Sequence, residues 1–392
     1  MKKITPQLSS QLANVVYQIE TPDRAGKYNL IGKEAISVKK HFNFELSNGP
    51  VKGVSGGFLS HLFNRTTGFA LLGKGKGVYK GDHVITIRGT NILRDWLTNA
   101  NVGLTGSATG TTVHAGFNKT FQTMKPAFQQ YITQAKKQGP IGTVHCVGHS
   151  LGGALAGLTA DWLKSEYGMP VNLYTFGAPR IGLNGFSAQT TARVDNIFRC
   201  THGADPVPNV PLWPFAHAPY NGSEYRLNSG QGFSPSAHKM GTNGNPGYVN
   251  SAKGYDWGAL QKRSDNFLNT PVRLDYDNRN QASYSAYWAD KISAALITVL
   301  KDAGYYHAIM AQATASSALT FYDLISRTLV KVAQASVKYS KQVAGLLGHM
   351  LVFAGQAAYK LTELTYEVIK WVFDKTLGVL YRSVREAINS TF

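Results

Sequence analysis

The sequence predicts an α/β protein with a mostly parallel central sheet, followed by a C-terminal α-helical extension. Short β-branched runs alternate with helical segments between residues 68 and 201, which is typical of parallel sheets with crossover helices. One such run, residues 144–147, leads through a glycine-flanked serine into a segment rich in Ala and Leu. From Ser283 onward, apolar residues recur at helical spacing. We therefore expect an α/β domain over residues 1–280 and a helical extension over residues 281–392.

The elements of the α/β domain follow from local patterns. A first helix is predicted over residues 7–20, with Ser9 or Ser10 as its N-cap. Residues 208–280 are rich in Gly, Pro, Asn and Ser and predict long loops, which are usually functional in a compact protein. The other predicted elements are, in order, a β-hairpin over 68–88, a helix over 117–137, and strands over 144–147, 171–176 and 196–201.

The segment around Ser150 predicts a nucleophile. Gly148-His149-Ser150-Leu151-Gly152 stands between a predicted strand and a predicted helix, which is the setting of a nucleophile elbow. Such a turn holds its serine in a strained conformation, so the residues two positions before and after it must be small. The helix N-terminus that follows also favours negative charge near the serine. Ser150 is therefore the expected nucleophile.

A serine hydroxyl needs a histidine to accept its proton and an acid to orient that histidine. In elbow enzymes the acid follows the serine, and the histidine follows the acid. Asp205 is the favoured acid because it comes directly after the strand 196–201, and ligands bind at the carboxyl ends of parallel strands. Both His217 and His238 follow it on loops, and spacing alone leaves the choice between them open.

The charge developing on the substrate oxygen requires two hydrogen-bond donors. The backbone N–H of Leu151 is one candidate, since it directly follows the serine. The second is expected after an earlier strand, where Gly89 and Thr90 follow the strand 84–87. We expect His149, next to the serine, to have a packing or hydrogen-bonding role.

Composition limits the partners. The net charge is +18, of which +14 lies in residues 1–280, and this favours an anionic membrane surface. No zinc-ligand spacing, RNA-binding motif or long basic run accompanies the charge, so we expect no nucleic-acid partner. Triad chemistry requires no metal or organic cofactor, and none is expected. Cys146 and Cys200 lie in apolar runs and are predicted to be buried thiols.

The helical extension predicts amphipathic helices. Polar residues at steps of three and four form one stripe, opposite an apolar one. The polar residues are Asp323, Arg327, Lys331, Gln334, Lys338 and Lys341. Residues 342–359 carry no charge but are borderline for a membrane span, so packing against the α/β domain or among the helices is favoured.

Several motifs occur together in one order and resemble the class 3 lipases, the family of the filamentous-fungal triacylglycerol lipases. They are Ile-Arg-Gly-Thr at 87–90 with Asp-Trp at 95–96, Val-His-Ala-Gly-Phe at 113–117, Gly-His-Ser-Leu-Gly-Gly at 148–153, Tyr-Thr-Phe-Gly-Ala-Pro-Arg at 174–180, and Thr-His at 201–202 with Asp-Pro-Val-Pro at 205–208. The resemblance covers residues 68–250. It implies an α/β-hydrolase fold, with Ser150 as nucleophile, Asp205 as acid, and Thr90 and the Leu151 amide as oxyanion hole.

The resemblance also bears on the histidine. His217 with Glu224-Tyr225 is similar to a non-catalytic feature of the family, whereas His238-Lys239-Met240 resembles the start of the His-x-Met-x-x-Tyr pattern of bacterial members. The resemblance thus implies His238 as the catalytic base, although residues 241–247 separate Met240 from Tyr248. Residues 101–112 are short and polar where fungal members carry a lid helix, so either that lid is missing or residues 208–247 cover the site.

These observations predict a serine-dependent ester hydrolase that acts on lipids, of the lipase or phospholipase A type, through an acyl-enzyme. The basic N-terminus lacks an apolar segment, so no Sec signal peptide is expected. By analogy with bacterial members, we expect a lipase effector exported by a signal-independent route, or a cytoplasmic protein, with a secretion or inhibitor protein as a further partner. The alternative is a membrane-active or partner-binding protein whose helical tail carries the function.

Overall fold

The central feature of the fold is an eight-stranded mixed sheet. The structure is a computed structural model, and it describes residues 2–391 except 20–21, 25, 27, 48, 56–64, 91–102, 213, 221–222, 229, 231, 242–246, 262–270 and 314–317. The strands of this sheet are β1 (Phe42–Phe44), β2 (Val51–Ser55), β3 (Arg65–Gly75), β4 (His83–Ile87), β7 (Val144–His149), β8 (Val171–Phe176), β10 (Asn196–His202) and β12 (Tyr225–Asn228). Their order is β1-β3-β4-β7-β8-β10-β12, and β2 pairs with β3.

Strands β4, β7, β8, β10 and β12 run parallel, whereas β1, β2 and β3 pair antiparallel at one edge. The carboxyl ends of the parallel strands therefore lie at the same edge of the sheet, where ligand sites form in α/β proteins. A small antiparallel sheet lies beside it. Its strands are β5 (Leu104–Gly106), β6 (Thr112–His114), β9 (Gly182–Leu183) and β11 (Phe215–Ala216).

Helices cover both faces of the sheet. In the α/β part they are α1 (Pro6–Val15), α2 (Gly32–Lys39), α3 (Ala115–Gln138), α4 (Leu151–Tyr167), α5 (Asn184–Arg193), α6 (Tyr248–Ser251) and α7 (Trp257–Gln261). Helix α1 packs on one face of β7 and β8, and α4 packs on the other face. The side chains of β7 alternate accordingly: Val144 and Cys146 join the core beneath α4, and Val147 joins the core beneath α1.

The first helix differs from its prediction. It ends at Val15 rather than at residue 20, and its N-cap is Thr5 rather than Ser9 or Ser10; the Thr5 hydroxyl oxygen accepts a hydrogen bond from the Leu8 amide at 3.1 Å. Pro6 at the first helical position explains the earlier start, because its fixed φ suits that place. The predicted 208–280 loop region also contains β11, β12, α6 and α7. Edge strand β12 is missing from the prediction because Tyr-Arg-Leu-Asn lacks a β-branched run.

The C-terminal residues form the predicted helical extension. Its helices are α8 (Ala286–Asp302), α9 (Tyr306–Ala313), α10 (Ala318–Ala335), α11 (Val337–Phe353) and α12 (Tyr366–Thr391). The polar stripe is divided between two helices, because Ser336 caps α11 and accepts a hydrogen bond from the Tyr339 amide at 3.2 Å. No helix in the described ranges has the length and apolarity required to cross a membrane.

One continuous apolar core joins the extension to the α/β part. Buried Val207, Val210 and Phe215 belong to the same cluster as Trp288 of α8 and Ile369 of α12. The fold class is therefore confirmed: an α/β structure with a mostly parallel sheet and a helical extension, as expected of an α/β hydrolase. The boundary at residue 280 stays a prediction.

Candidate active site

The turn after β7 has the strained geometry of a nucleophile elbow. Ser150 has φ 58° and ψ −131°, and among the described residues it alone, apart from glycines, has a positive φ. A Cβ on Gly148 would lie 2.1 Å from the Gly152 carbonyl oxygen, and one on Gly152 would lie 2.1 Å from the Ile87 carbonyl oxygen. Both positions therefore require glycine, as the sequence predicts.

Three predicted site residues form one hydrogen-bonded chain. His238 Nε2 lies 2.9 Å from Ser150 Oγ, and His238 Nδ1 lies 2.9 Å from Asp205 Oδ2. All three side chains are fully buried. A carboxylate only accepts, so Nδ1 carries the proton toward Asp205 and Nε2 is left to accept the serine proton. The arrangement is that of a nucleophile, a base and an orienting acid.

Asp205 is held by two further donors. The Val207 amide donates to Oδ1 at 2.9 Å, and the Tyr248 hydroxyl donates to Oδ2 at 2.6 Å. Burial, and secondly the charge of Asp205, raises the pKa of Tyr248 well above its usual value. Tyr248 therefore keeps its proton and remains a donor to the carboxylate.

Residues 241–247 do not separate Tyr248 from the site. The Tyr248 amide donates to the Lys239 carbonyl at 3.1 Å, and the Val249 amide donates to the Met240 carbonyl at 2.8 Å. A Cβ on Gly247 would lie 2.4 Å from the Gly241 amide nitrogen, so the two ends of the insertion are in contact. Gly241 and Gly247 therefore lie side by side, and the Tyr248 hydroxyl contacts Asp205 in spite of the insertion.

His217 takes a different place. Its Nε2–H donates to the Pro208 carbonyl at 2.7 Å, and the ring is buried. Burial, followed by the nearby charges of Arg199 and Arg180, lowers the pKa of His217 well below its usual value. The structure thus brings His238, and not His217, to Ser150.

His149 joins three parts of the site. Its Nε2–H donates to the His238 carbonyl at 2.8 Å, and its Nδ1 lies 2.9 Å from the hydroxyl of Tyr17, just after α1. The same hydroxyl accepts the Gly89 amide at 2.7 Å. Burial, and then the neighbouring His238, lowers the pKa of His149 well below its usual value, so the ring is neutral and Nδ1 accepts from Tyr17. The predicted hydrogen-bonding role of His149 agrees with this geometry.

The two oxyanion-hole candidates lie at neighbouring strand ends. Leu151 is the first residue of α4, and Ile87 of β4 pairs with Gly148 of β7, so buried Thr90 follows the adjacent strand. Asp95 and Trp96 of the family-like motif lie outside the described residues. The roles of Thr90 and the Leu151 amide stay predictions.

Gly177 also forms part of the site, as its position directly after the predicted strand 171–176, at the same sheet edge as Ser150, indicates. Gly177 follows β8 with φ +55°, and a Cβ there would lie 2.6 Å from Asp205 Oδ2 and 3.0 Å from His238 Nδ1. The Gly177 backbone therefore packs closely against the Asp205 carboxylate and the His238 ring. Sequence reasoning missed Tyr17, whose contacts with His149 and Gly89 join residues distant in the chain and have no local pattern. Within the described ranges, no cluster of three or more His, Cys, Asp or Glu residues could hold a metal.

Comparison with known proteins gives a match in the same region. Residues 84–215 match the family model described as Lipase (class 3), which confirms the resemblance. The secreted mono- and diacylglycerol lipase 1 of Fusarium solani is 35% identical over 149 residues, which are 38% of this chain and 44% of that protein. The secreted mono- and diacylglycerol lipase A of Penicillium camembertii is 32% identical over 131 residues, 33% of this chain and 43% of that protein.

The matched part thus spans less than half the length of these curated relatives. Among solved structures, the mono- and diacylglycerol lipase from Aspergillus oryzae is similar with a TM-score of 0.45 and 22% identity, over 57% of this chain and 79% of that one.

Proposed function

We propose that this chain, whose residues 84–215 match the class 3 lipases, is a serine-dependent ester hydrolase that acts on lipids. The observation that carries the proposal is the hydrogen-bonded chain from Ser150 through His238 to Asp205, built on a strained turn. A serine without a catalytic role would need neither a positive φ nor a histidine that is hydrogen-bonded to a buried carboxylate.

In the acylation step, His238 Nε2 takes the Ser150 proton while Oγ attacks the ester carbonyl. The oxyanion that forms is stabilised by the Leu151 amide and by Thr90, both at the site where negative charge develops. His238 then gives its proton to the departing alcohol, which leaves Ser150 acylated. Asp205 holds the imidazole in the required tautomer and stabilises its charged form.

In the deacylation step, water replaces the alcohol. His238 takes a proton from the water, the resulting hydroxide attacks the acyl-enzyme, and the fatty acid leaves as Oγ regains its proton. The donors on Asp205, the Val207 amide and the Tyr248 hydroxyl, keep its carboxylate fixed during both steps.

The substrate class is supported by two observations. The fungal relatives are named as mono- and diacylglycerol lipases. The net charge of +18 adds a preference for anionic interfaces, since each basic residue near such a surface contributes about 1 kcal/mol. We therefore propose that the substrates are acylglycerol and phospholipid esters at an anionic interface. We further propose that the activity on phospholipids is of the phospholipase A type. Export as an effector, with a secretion or inhibitor partner, remains a prediction from the sequence.

Substrate entry requires movement, because the side chain of Ser150 is 0% exposed. We infer that this structure represents a closed state that opens at a lipid surface. Turnover should then rise more steeply than substrate concentration once a short-chain ester exceeds its solubility and forms droplets.

The test compares wild type, Ser150→Ala, His238→Ala and His217→Ala on a soluble p-nitrophenyl ester and on mixed anionic phospholipid vesicles. We expect Ser150→Ala and His238→Ala to lose at least about 10⁴-fold in kcat on the ester. His217→Ala serves as the matched control and should retain turnover wherever it folds. Wild-type protein that releases fatty acid from neither substrate, or equal activity in Ser150→Ala, would overturn the proposal.

A further inference from the structure

The turn that carries His238 lies between the α/β part and the helical extension. It is a 3₁₀ turn, Pro235–His238, and its backbone is bonded to the sheet side at three points. The Ser234 amide donates to the Ala204 carbonyl at 2.8 Å, and His202 Nδ1–H donates to the Ala237 carbonyl at 2.7 Å. His149 supplies the third bond, to the His238 carbonyl.

Helix α12 also contacts this turn. It packs against the Pro235–His238 turn, and the Ser390 hydroxyl lies 3.2 Å from the Pro235 carbonyl, within hydrogen-bonding distance. The buried residues of its last turns, Val384, Ala387 and Ile388, are fully covered. The helix therefore ends as part of the core next to the turn, rather than as a separate surface.

An aromatic cluster connects the residues before the turn to the same helix. Phe233 packs edge-to-face on Tyr284 at 4.8 Å, and Tyr284 packs on Phe353 of α11 at 5.1 Å. The Tyr284 hydroxyl lies 2.7 Å from the Val379 carbonyl and 2.6 Å from Ser383 Oγ, both on α12. The turn and the residue before it, Phe233, are thus both packed against the helical extension.

We propose that α12 is a positioning element for the base, so that the helical extension serves the catalytic step instead of carrying a separate function. This inference rests on the proposed function. No α12 residue contacts the reacting atoms in this account; the helix acts by preventing the turn from moving away from Ser150. Because a displacement of about 1 Å at a catalytic group costs about 100-fold in rate, the packing of α12 on the turn controls turnover.

The first test uses Ala387→Glu in the full chain, which introduces a charge at a fully buried position of α12, three residues before Ser390. Gly378→Glu is the matched control, because it adds the same group to the same helix where nothing lies within 4 Å of the new Cβ. We expect Ala387→Glu to lower kcat on a soluble p-nitrophenyl ester about 10- to 100-fold, with KM within about twofold. The rate at which a p-nitrophenyl phosphonate labels Ser150 should fall by a similar factor. The conservative variant Ala387→Ser should keep the wild-type kcat and labelling rate.

Two milder variants decide the question where Ala387→Glu does not fold. Tyr284→Phe removes the hydroxyl next to α12, and Ser390→Ala removes the one next to Pro235. Each should lower kcat about two- to fivefold without raising KM, while its circular dichroism spectrum matches that of wild type. Folded variants with wild-type kcat and labelling rate would overturn the inference while leaving the proposed function intact. An inactive wild type would instead overturn the proposed function.

Discussion

The α/β part and the helical extension hold the same turn by different physical means. On the sheet side, the turn is fixed by directional hydrogen bonds from His149 and His202 to successive carbonyls. On the helical side, it is fixed mainly by apolar packing of α12 and the cluster around Phe233. The hydrogen bonds from His149 and His202 fix the orientation of the His238 backbone. The packing of α12 prevents the turn from moving away from Ser150.

Substitutions near the catalytic groups should therefore affect turnover, whereas substitutions elsewhere should affect stability. A residue whose atoms touch the acid, base or nucleophile changes turnover even when the fold is kept. A residue of the same type far from the strand ends changes only the free energy of unfolding. The chain offers pairs of matched residues that test this distinction.

The largest effect is expected from Gly177→Ala compared with Gly168→Ala. Both glycines have positive φ, +55° and +62°, so the backbone strain added by alanine is similar, about 1–2 kcal/mol. Only at Gly177 would the new Cβ meet the catalytic groups, 2.6 Å from Asp205 Oδ2. We expect kcat to fall about 100-fold in Gly177→Ala and to remain near wild type in Gly168→Ala. Equal kcat values for the two folded variants would contradict the distinction.

A smaller effect is expected from Tyr248→Phe compared with Tyr131→Phe. Tyr248 donates to Asp205, whereas the buried Tyr131 hydroxyl donates to the Gly73 carbonyl at 2.8 Å and lies 2.8 Å from His83 Nδ1, at the amino end of β4. Tyr248→Phe should lower kcat about tenfold with little change in KM, because a charge-assisted hydrogen bond is worth about 1.5–3 kcal/mol. Tyr131→Phe should lower the unfolding free energy by about 1 kcal/mol and leave kcat within twofold. Steady-state kinetics and urea unfolding measure both.

The smallest effect on turnover is expected at His217, where a change should instead alter acid stability. The pKa values of His149 and His217 are lowered by burial, so the unfolded chain takes up their protons first as the pH falls. Below the ordinary histidine pKa of about 6.5, the unfolding free energy should therefore decrease, with each ring contributing about 1.4 kcal/mol per pH unit. His217→Asn should make this slope shallower by about that amount while kcat at pH 8 stays near wild type. An unchanged slope would mean that His217 is not neutral in the folded protein.

Much of the site was predictable because its geometry is local. The glycines around Ser150 and the placement of Asp205 after a strand follow from spacing and strand order. The choice between His217 and His238 does not, because both follow Asp205 on loops and only the folded chain places one of them at Ser150. The resemblance supplied that choice.

Other parts were not predictable because they depend on contacts distant in sequence. Tyr17 meets Gly89 and His149 only after α1 has packed on the sheet. The contact of α12 with Pro235 joins residues 155 positions apart and has no local pattern. Helical periodicity indicated that α12 has an apolar face but could not indicate what that face covers.

The roles of Ser150 and His238 can be measured by covalent labelling with a p-nitrophenyl phosphonate, with the modified residue located by mass spectrometry. We predict one equivalent of label on Ser150 in wild type and in folded His217→Ala. In His238→Ala the rate should fall at least about 100-fold, because the base that activates the serine is missing. Label on another residue, or equal labelling rates in His238→Ala and wild type, would contradict the account.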